Sequence, residues 1–185
     1  MEQPTALLLI DVIESFFKAG MPNHYPEARL VLGPLHRLLE AARASGALVV
    51  HAAERHRPGL DDFEWRKLPR HHFDGAADAA VMAGFEMRGP REILLPKRRF
   101  SAFFATDLAL LLREQGIARV VVAGVKTNVC LRATVQDAFA HGFTPIVPRE
   151  ATNSNRPHLA AASPEDIARS FGDVVALDEA VAALS

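Results

Sequence analysis

The sequence predicts an α/β fold: an open, doubly wound parallel sheet with helices on both faces. Continuous apolar runs such as Ala6–Ile10 (ALLLI) have the composition of strands buried on both faces. Between such runs lie segments whose apolar residues recur at helical spacing, and this alternation builds a parallel sheet. The chain has 185 residues and 49% hydrophobic content, enough for one well-filled domain over residues 1–185 and short for two.

Taken in order, Ala6–Ile10 is a central strand closed by Asp11. Ala28–Ala44 carries Leu32, Leu35, Leu38, Leu39 and Ala42 at helical spacing, with Gly46 as its stop. The Gly33-Pro34 pair either starts that helix or kinks it. Leu48–Val50 is a second strand. His51–Gly89 is irregular, a surface excursion with a short helix near Ala76–Met82. Ile93–Leu95 is a third strand, ended by Pro96. Thr106-Asp107 caps a helix over Leu108–Arg113 that Gly116 closes. After the next strand and helix, Pro145–Val147 is another strand. Ser163-Pro164-Glu165-Asp166 has the form of a helix start: a cap, proline at the first position and acids in the first turn. A strand at Val174–Ala176 and a helix over Asp178–Leu184 complete the chain.

The stretch Val120–Ala138 (VVVAGVKTNVCLRATVQDA) organises the rest. It reads as a buried strand, a sharp turn and a helix running to about His141. Cys130, the only cysteine, falls in the first turn of that helix, with Thr127 or Asn128 as the N-cap. Amide N–H groups and the positive end of the macrodipole there favour a thiolate. A thiol in that place is either a nucleophile or a small buried hydrophobe.

Composition excludes several classes. A formal net charge of −1 gives no reason to expect a nucleic-acid or anionic membrane partner. No apolar run approaches the ~18–20 residues that span a bilayer, and the N-terminus lacks the basic segment and cleavage site of a secretory signal. A single cysteine makes no internal disulfide, which sets a reducing, cytoplasmic expectation. No G-x-G-x-x-G follows the first strand and no P-loop occurs, so no dinucleotide cofactor is expected.

Ligands of doubly wound sheets bind beyond the carboxyl ends of the strands. Asp11 ends the first strand, His51 the second, Lys97 follows the third and Cys130 the fourth, so these residues converge on one edge. An ammonium lowers a thiol pKa, and a carboxylate can take the thiol proton and return it to a leaving amine. Pairing with Asp11 also keeps Lys97 charged. The same residues also make a structural Asp–Lys ion pair under an inert cysteine.

Three segments in this order, LLLID ending at Asp11, LPKRRFSAFFATDL around Lys97 and AGVKTNVCLRATVQDAFAHGF around Cys130, resemble the isochorismatase-like cysteine hydrolase superfamily. The resemblance runs from Ala6 to about Asn153. It implies a Rossmann-like parallel sheet of six strands, a homo-oligomer (dimer or tetramer), and a catalytic triad of Asp11, Lys97 and Cys130. It also implies a cis peptide between Val125 and Lys126, and an oxyanion hole of the Lys126 and Cys130 backbone N–H groups.

Departures from the family pattern narrow the chemistry. Ile13 and Phe16 stand in Asp11-Val12-Ile13-Glu14-Ser15-Phe16 where many members read Asp-x-Gln-x-x-Phe, so the aromatic that lines the pocket is kept and the glutamine is not. Nicotinamidases of the superfamily carry an Asp-x-His metal motif after the second strand. His51-Ala52-Ala53-Glu54-Arg55-His56 does not match it, and no metal is expected. His71-His72 could ligate a metal, but reads first as a solvated pair in a polar loop. The cysteine itself favours an acyl carbon over the vinyl ether that the founding isochorismatases cleave.

The expectation is therefore a cysteine-dependent amidohydrolase acting through a thioester on a small carboxamide, carbamoyl or ureido compound. The alternatives are a vinyl-ether hydrolase of isochorismatase type and a non-catalytic binding module. Phe16, Arg99, Phe100, Asn128 and His51 are the candidate substrate contacts, with capping the first role for Asn128 and a structural hydrogen bond the first for His51. Trp65 reads as part of a lid or a subunit contact. Arg55–Arg57 and Arg66–Arg70 read as anion-steering groups or as solvated loop. Pro148–Pro157 reads as a polar loop without chemistry.

Overall fold

The computed structural model describes residues 4–185. Strands β1 (Thr5–Ile10), β2 (Val49–Glu54), β3 (Glu92–Lys97), β4 (Arg119–Val125), β5 (Thr144–Pro148), β6 (Thr152–Asn153) and β7 (Asp173–Val175) form one parallel sheet. Six of them run in the order β3-β2-β1-β4-β5-β7, and the two-residue β6 pairs with the end of β4. The direction of winding reverses between β1 and β4, so the crevice expected of such sheets opens beyond their carboxyl ends.

Alternation along β1 explains the layers. Leu7 and Leu9 face one core with Leu35, Leu38 and Leu39 of helix α2 (Leu32–Ser45); helix α6 (Leu177–Ala183) joins it through Leu177 and Ala180. Leu8 and Ile10 face the opposite core, built with α3 (Leu108–Glu114), α4 (Arg132–Ala140) and α5 (Pro157–Ser170). All six residues of β1 are buried, as a strand covered on both faces requires. The short helix α1 (Glu14–Phe17) follows β1 directly.

Several boundaries differ from expectation for identifiable reasons. Strand β2 extends to Glu54, four residues past Val50, because His51 and Ala52 stay in register with both β1 and β3 and Ala53 and Glu54 continue the pairing with β3. Pro96 lies inside β3, an edge strand that needs no N–H from it on the open side. The segment before α2 is a 3₁₀ turn over Pro26–Val31, and α2 begins at Leu32, so Pro34 falls in its first turn where no intrahelical N–H bond is lost. Gly46 ends α2 in the left-handed conformation, as expected of a stop.

The helix expected to start at Ser163-Pro164 instead begins at Pro157 and runs through Pro164. Ser163 Oγ donates to Leu159 O within the helix and caps nothing. Within the excursion, only 3₁₀ turns at Phe63–Arg66 and Ala77–Ala79 form.

Gly124 marks the closest approach of β1 and β4. It sits at φ +122, and a Cβ there would lie 2.1 Å from Ile10 O. Asp11, the next residue after that contact, has φ 51, a left-handed conformation rare for a side chain other than glycine or asparagine. Among the described residues no helix is long and apolar enough to cross a membrane.

Candidate active site

Asp11 follows β1 and Lys97 ends β3, the strands on either side of β2, and their side chains meet in the interior. Asp11 Oδ2 stands 2.9 Å from Lys97 Nζ, with both side chains fully buried. Asp11 Oδ1 accepts the Glu54 backbone N–H at 2.7 Å, and Lys97 Nζ donates to Arg99 O at 3.3 Å. Burial works against the Lys97 ammonium, but Asp11, Cys130 and Glu54 outweigh it and raise its pKa above the usual lysine value.

Cys130 reaches the pair from the turn after β4. That turn is a π-type turn over Thr127–Leu131 leading into α4, entered through a cis Val125–Lys126 peptide bond. Neither Thr127 nor Asn128 supplies a side-chain cap. The Thr127 hydroxyl shares a 2.8 Å hydrogen bond with Thr152 Oγ1 of β6, which ties the turn to the sheet. Cys130 is 5% exposed and its thiol is the free thiol of the chain. Burial pushes the thiol pKa well up, Lys97 lowers it, and the charges of Asp11 and Glu54 raise it further. Burial thus works against the thiolate that the helix terminus and Lys97 favour.

The thiol opens on a cavity of 330 Å³ lined by Phe16, Asn23, Phe100, Lys126 and Cys130 among others. Phe16 and Phe100 are thus where the sequence places them. Three other candidates are not. His51 sits in mid-strand, level with Leu9 and Leu94, and its Nε2 is 3.7 Å from Glu92. Arg99 turns away to Asp62 Oδ1 at 2.9 Å and lines a neighbouring cavity. Asn128 does not line the pocket, and its Oδ1 is buried without a hydrogen bond.

The residue at the end of β2 is Glu54, which the sequence reading did not single out. It lines the pocket, and its Oε2 is 3.0 Å from His72 Nδ1 and 3.4 Å from His71 Nε2. Burial opposes its charge, yet Lys97 and the bonds to His71 and His72 hold its pKa well below the usual carboxylate value. His71 and His72, expected to be solvated, are both buried. Trp65 packs its ring 5.8 Å from that of His56 and 5.5 Å from Phe73, as part of this wall.

Glu54, His56, Glu64 and His71 present four ligand-type atoms within 4.8 Å of one another. Glu54 Oε1, His56 Nε2 and both Glu64 oxygens are buried without a hydrogen-bond partner. His56 Nδ1 lies 3.0 Å from Asp62 Oδ2, which leaves Nε2 facing the cluster. Burial and the Glu54 charge push the Glu64 carboxyl up to about 7. Two imidazoles and two carboxylates around unsatisfied atoms are the donor set of a divalent cation such as zinc. The metal-free expectation rested on a missing Asp-x-His motif. Glu54-x-His56 supplies the same donor types with a longer acid, a spacing legible in the sequence.

Comparison with known proteins follows from this geometry. Residues 5–179 match the isochorismatase domain. The chain is 37% identical over 182 residues to maleamate amidohydrolase of Pseudomonas putida, covering 95% of this chain and 84% of that protein. It is 31% identical over 183 residues to N-carbamoylsarcosine amidase of an Arthrobacter species, covering 95% and 69%. The crystal structure of an isochorismatase-like hydrolase from Alkaliphilus metalliredigens superposes with a TM-score of 0.89 at 30% identity, covering 98% of this chain and all of that one. The isochorismatase domain matched over residues 5–179, with a fold shared from end to end with the Alkaliphilus hydrolase, makes the chain a member of the isochorismatase-like hydrolase family.

Proposed function

We propose that the chain is a cysteine-dependent amidohydrolase that cleaves the C–N bond of a small carboxamide, carbamoyl or ureido compound. The observation that carries this reading is the fully buried Asp11–Lys97 pair beside the one thiol that opens on the pocket. Amide hydrolysis is also the activity in the names of the Pseudomonas and Arthrobacter relatives.

In this mechanism Asp11 accepts the Cys130 proton as sulfur attacks the substrate carbonyl carbon, with Lys97 holding the negative charge that forms. The carbonyl oxygen rests on the backbone N–H groups of Lys126 and Cys130; such donors contribute ~3 kcal/mol each in a transition state. The C–N bond breaks as Asp11 returns the proton to the departing amine. Water, giving a proton to Asp11, attacks the thioester; the C–S bond breaks and the thiol regains that proton. The raised thiol pKa fits this order, since proton transfer coincides with attack.

A divalent metal, when bound, would be held by Glu54, His56, Glu64 and His71 and would act as a Lewis acid on a substrate atom at that end of the pocket. The protein residues named above carry every proton transfer.

The test is ammonia release from a panel that includes maleamate, N-carbamoylsarcosine, simple carboxamides and ureas, with Cys130→Ala as the control. Release that disappears in Cys130→Ala supports the reading. Release that persists in the variant overturns the thioester, and consumption of isochorismate without any amide cleavage moves the chain to the vinyl-ether class.

A further inference from the structure

One charged side chain in the catalytic pocket has no part in this hydrolysis. Lys126 contributes a backbone N–H to the reaction, while its side chain lines the cavity beside Cys130. Its Nζ lies 5.5 Å from the centre of the Phe16 ring and 5.9 Å from that of Tyr25. Both rings are buried, and Tyr25 is held in place: its hydroxyl donates to Asn153 Oδ1 at 2.7 Å, and the Asn153 amide donates to Glu27 O. The ammonium therefore occupies a defined place between two aromatic faces.

Among the described residues Nζ makes no hydrogen bond and no ion pair, and Lys126 is the only lysine or arginine lining this cavity. Glu54, the carboxylate across the pocket, is engaged by His71 and His72. Burial pulls the Lys126 ammonium below its ordinary pKa, against the opposing pull of Cys130 and Glu54. A half-buried cation without a partner costs desolvation that an anion entering the pocket offsets.

We propose that the Lys126 side chain is a specificity-determining residue that selects amides carrying a carboxylate, seating that carboxylate on its ammonium while the scissile carbonyl faces Cys130. The substrate class is thus a short amide with an anionic group at its other end. The inference rests on the amidohydrolase reading for the orientation of the substrate, but the ion pair itself is a matter of binding.

The experiment uses amides with a carboxylate at increasing distance, malonamate, succinamate and glutaramate, with 4-oxopentanamide as the uncharged counterpart of succinamate. Binding is measured calorimetrically on Cys130→Ala protein with and without Lys126→Met, and kcat/KM on proteins carrying the intact thiol. The best carboxylated amide is expected to lose about 10- to 100-fold in affinity and kcat/KM in Lys126→Met, chiefly through KM, relative to 4-oxopentanamide. Lys126→Arg is expected to restore most of the loss.

Equal loss for charged and uncharged amides would assign the ammonium to the thiolate and overturn the inference. Absence of Lys126-dependent binding by any carboxylated amide would overturn it as well, even with amide turnover intact. Lys126-dependent binding without turnover of any amide would keep the inference and remove the amidohydrolase reading instead.

Discussion

Asp11 Oδ2 and Lys97 Nζ lie 2.9 Å apart with both side chains fully buried. Removing one member of such a pair strands the other as an unpaired buried charge. Lys97→Met is expected to cost about 3–5 kcal/mol of stability, measured by urea unfolding. The double variant Asp11→Asn/Lys97→Met should be more stable than Lys97→Met alone. Strictly additive losses would show that the two charges do not depend on each other.

Asp11→Asn keeps the size of the side chain and removes its capacity to take a proton. Its kcat should fall about 10²- to 10⁴-fold, the usual contribution of a general base. Cys130→Ala should abolish turnover with a folded near-ultraviolet spectrum. An unchanged kcat in Asp11→Asn would point to a different base.

Gly124 is a glycine whose replacement the backbone itself forbids. A Cβ placed 2.1 Å from Ile10 O must push β1 and β4 apart, next to Asp11 on one strand and the cis turn on the other. Gly124→Ala is expected to lose about 3 kcal/mol or more. Gly33→Ala, with nothing within 4 Å of the new carbon, should lose none; thermal denaturation separates the two.

His51, buried in the middle of β2, gives stability a pH dependence of its own. Burial lowers its pKa from 6.5, with Glu92 only partly opposing. Below pH 6.5 the unfolded chain takes up a proton that the folded chain refuses, so stability falls as pH drops. The slope contributed is at most about 1.4 kcal/mol per pH unit, down to the lowered folded value. His51→Gln should flatten the unfolding free energy between pH 7 and 5; an unchanged slope would assign it to other groups.

The cluster around Glu54 is tested by metal retention. After dialysis against zinc and gel filtration, about one equivalent per chain should remain, with a raised Tm that a chelator reverses. His56→Ala should retain none. A wild-type protein that emerges metal-free with an unchanged Tm would leave the four groups as a hydrogen-bonding cluster.

The parts of this site legible in the sequence are those that periodicity and strand ends report. Asp11 closes a fully apolar run and Lys97 ends a β-branched and leucine-rich one, so their convergence follows from the parallel sheet. His51-Ala52-Ala53-Glu54 has low strand propensity and is held in β2 by pairing with β3 throughout and with β1 as far as Ala52, which no local signal conveys. Hence His51 stood in for Glu54. Arg99 is drawn away by Asp62, 37 residues earlier in the chain, and Glu54 meets His71 and His72 across 17 and 18 residues, contacts that spacing does not convey. Proline at a first helical position describes both Pro157 and Pro164, and only the buried Ser163 and Ile167 show that the helix continues through the second.

Strand β4 changes partners along its length: Arg119–Val121 pair with β5, and Gly124–Val125 pair with β6, only residues 152 and 153. During synthesis, a nascent chain ending at Pro148 would already contain Asp11, Lys97 and Cys130. It would lack Thr152, which steadies the turn before the cysteine, and Asn153, which fixes the Tyr25 ring under Lys126. The supports of the Cys130 turn and of the Tyr25 ring therefore arrive late in translation, more than twenty residues after Cys130 has been made.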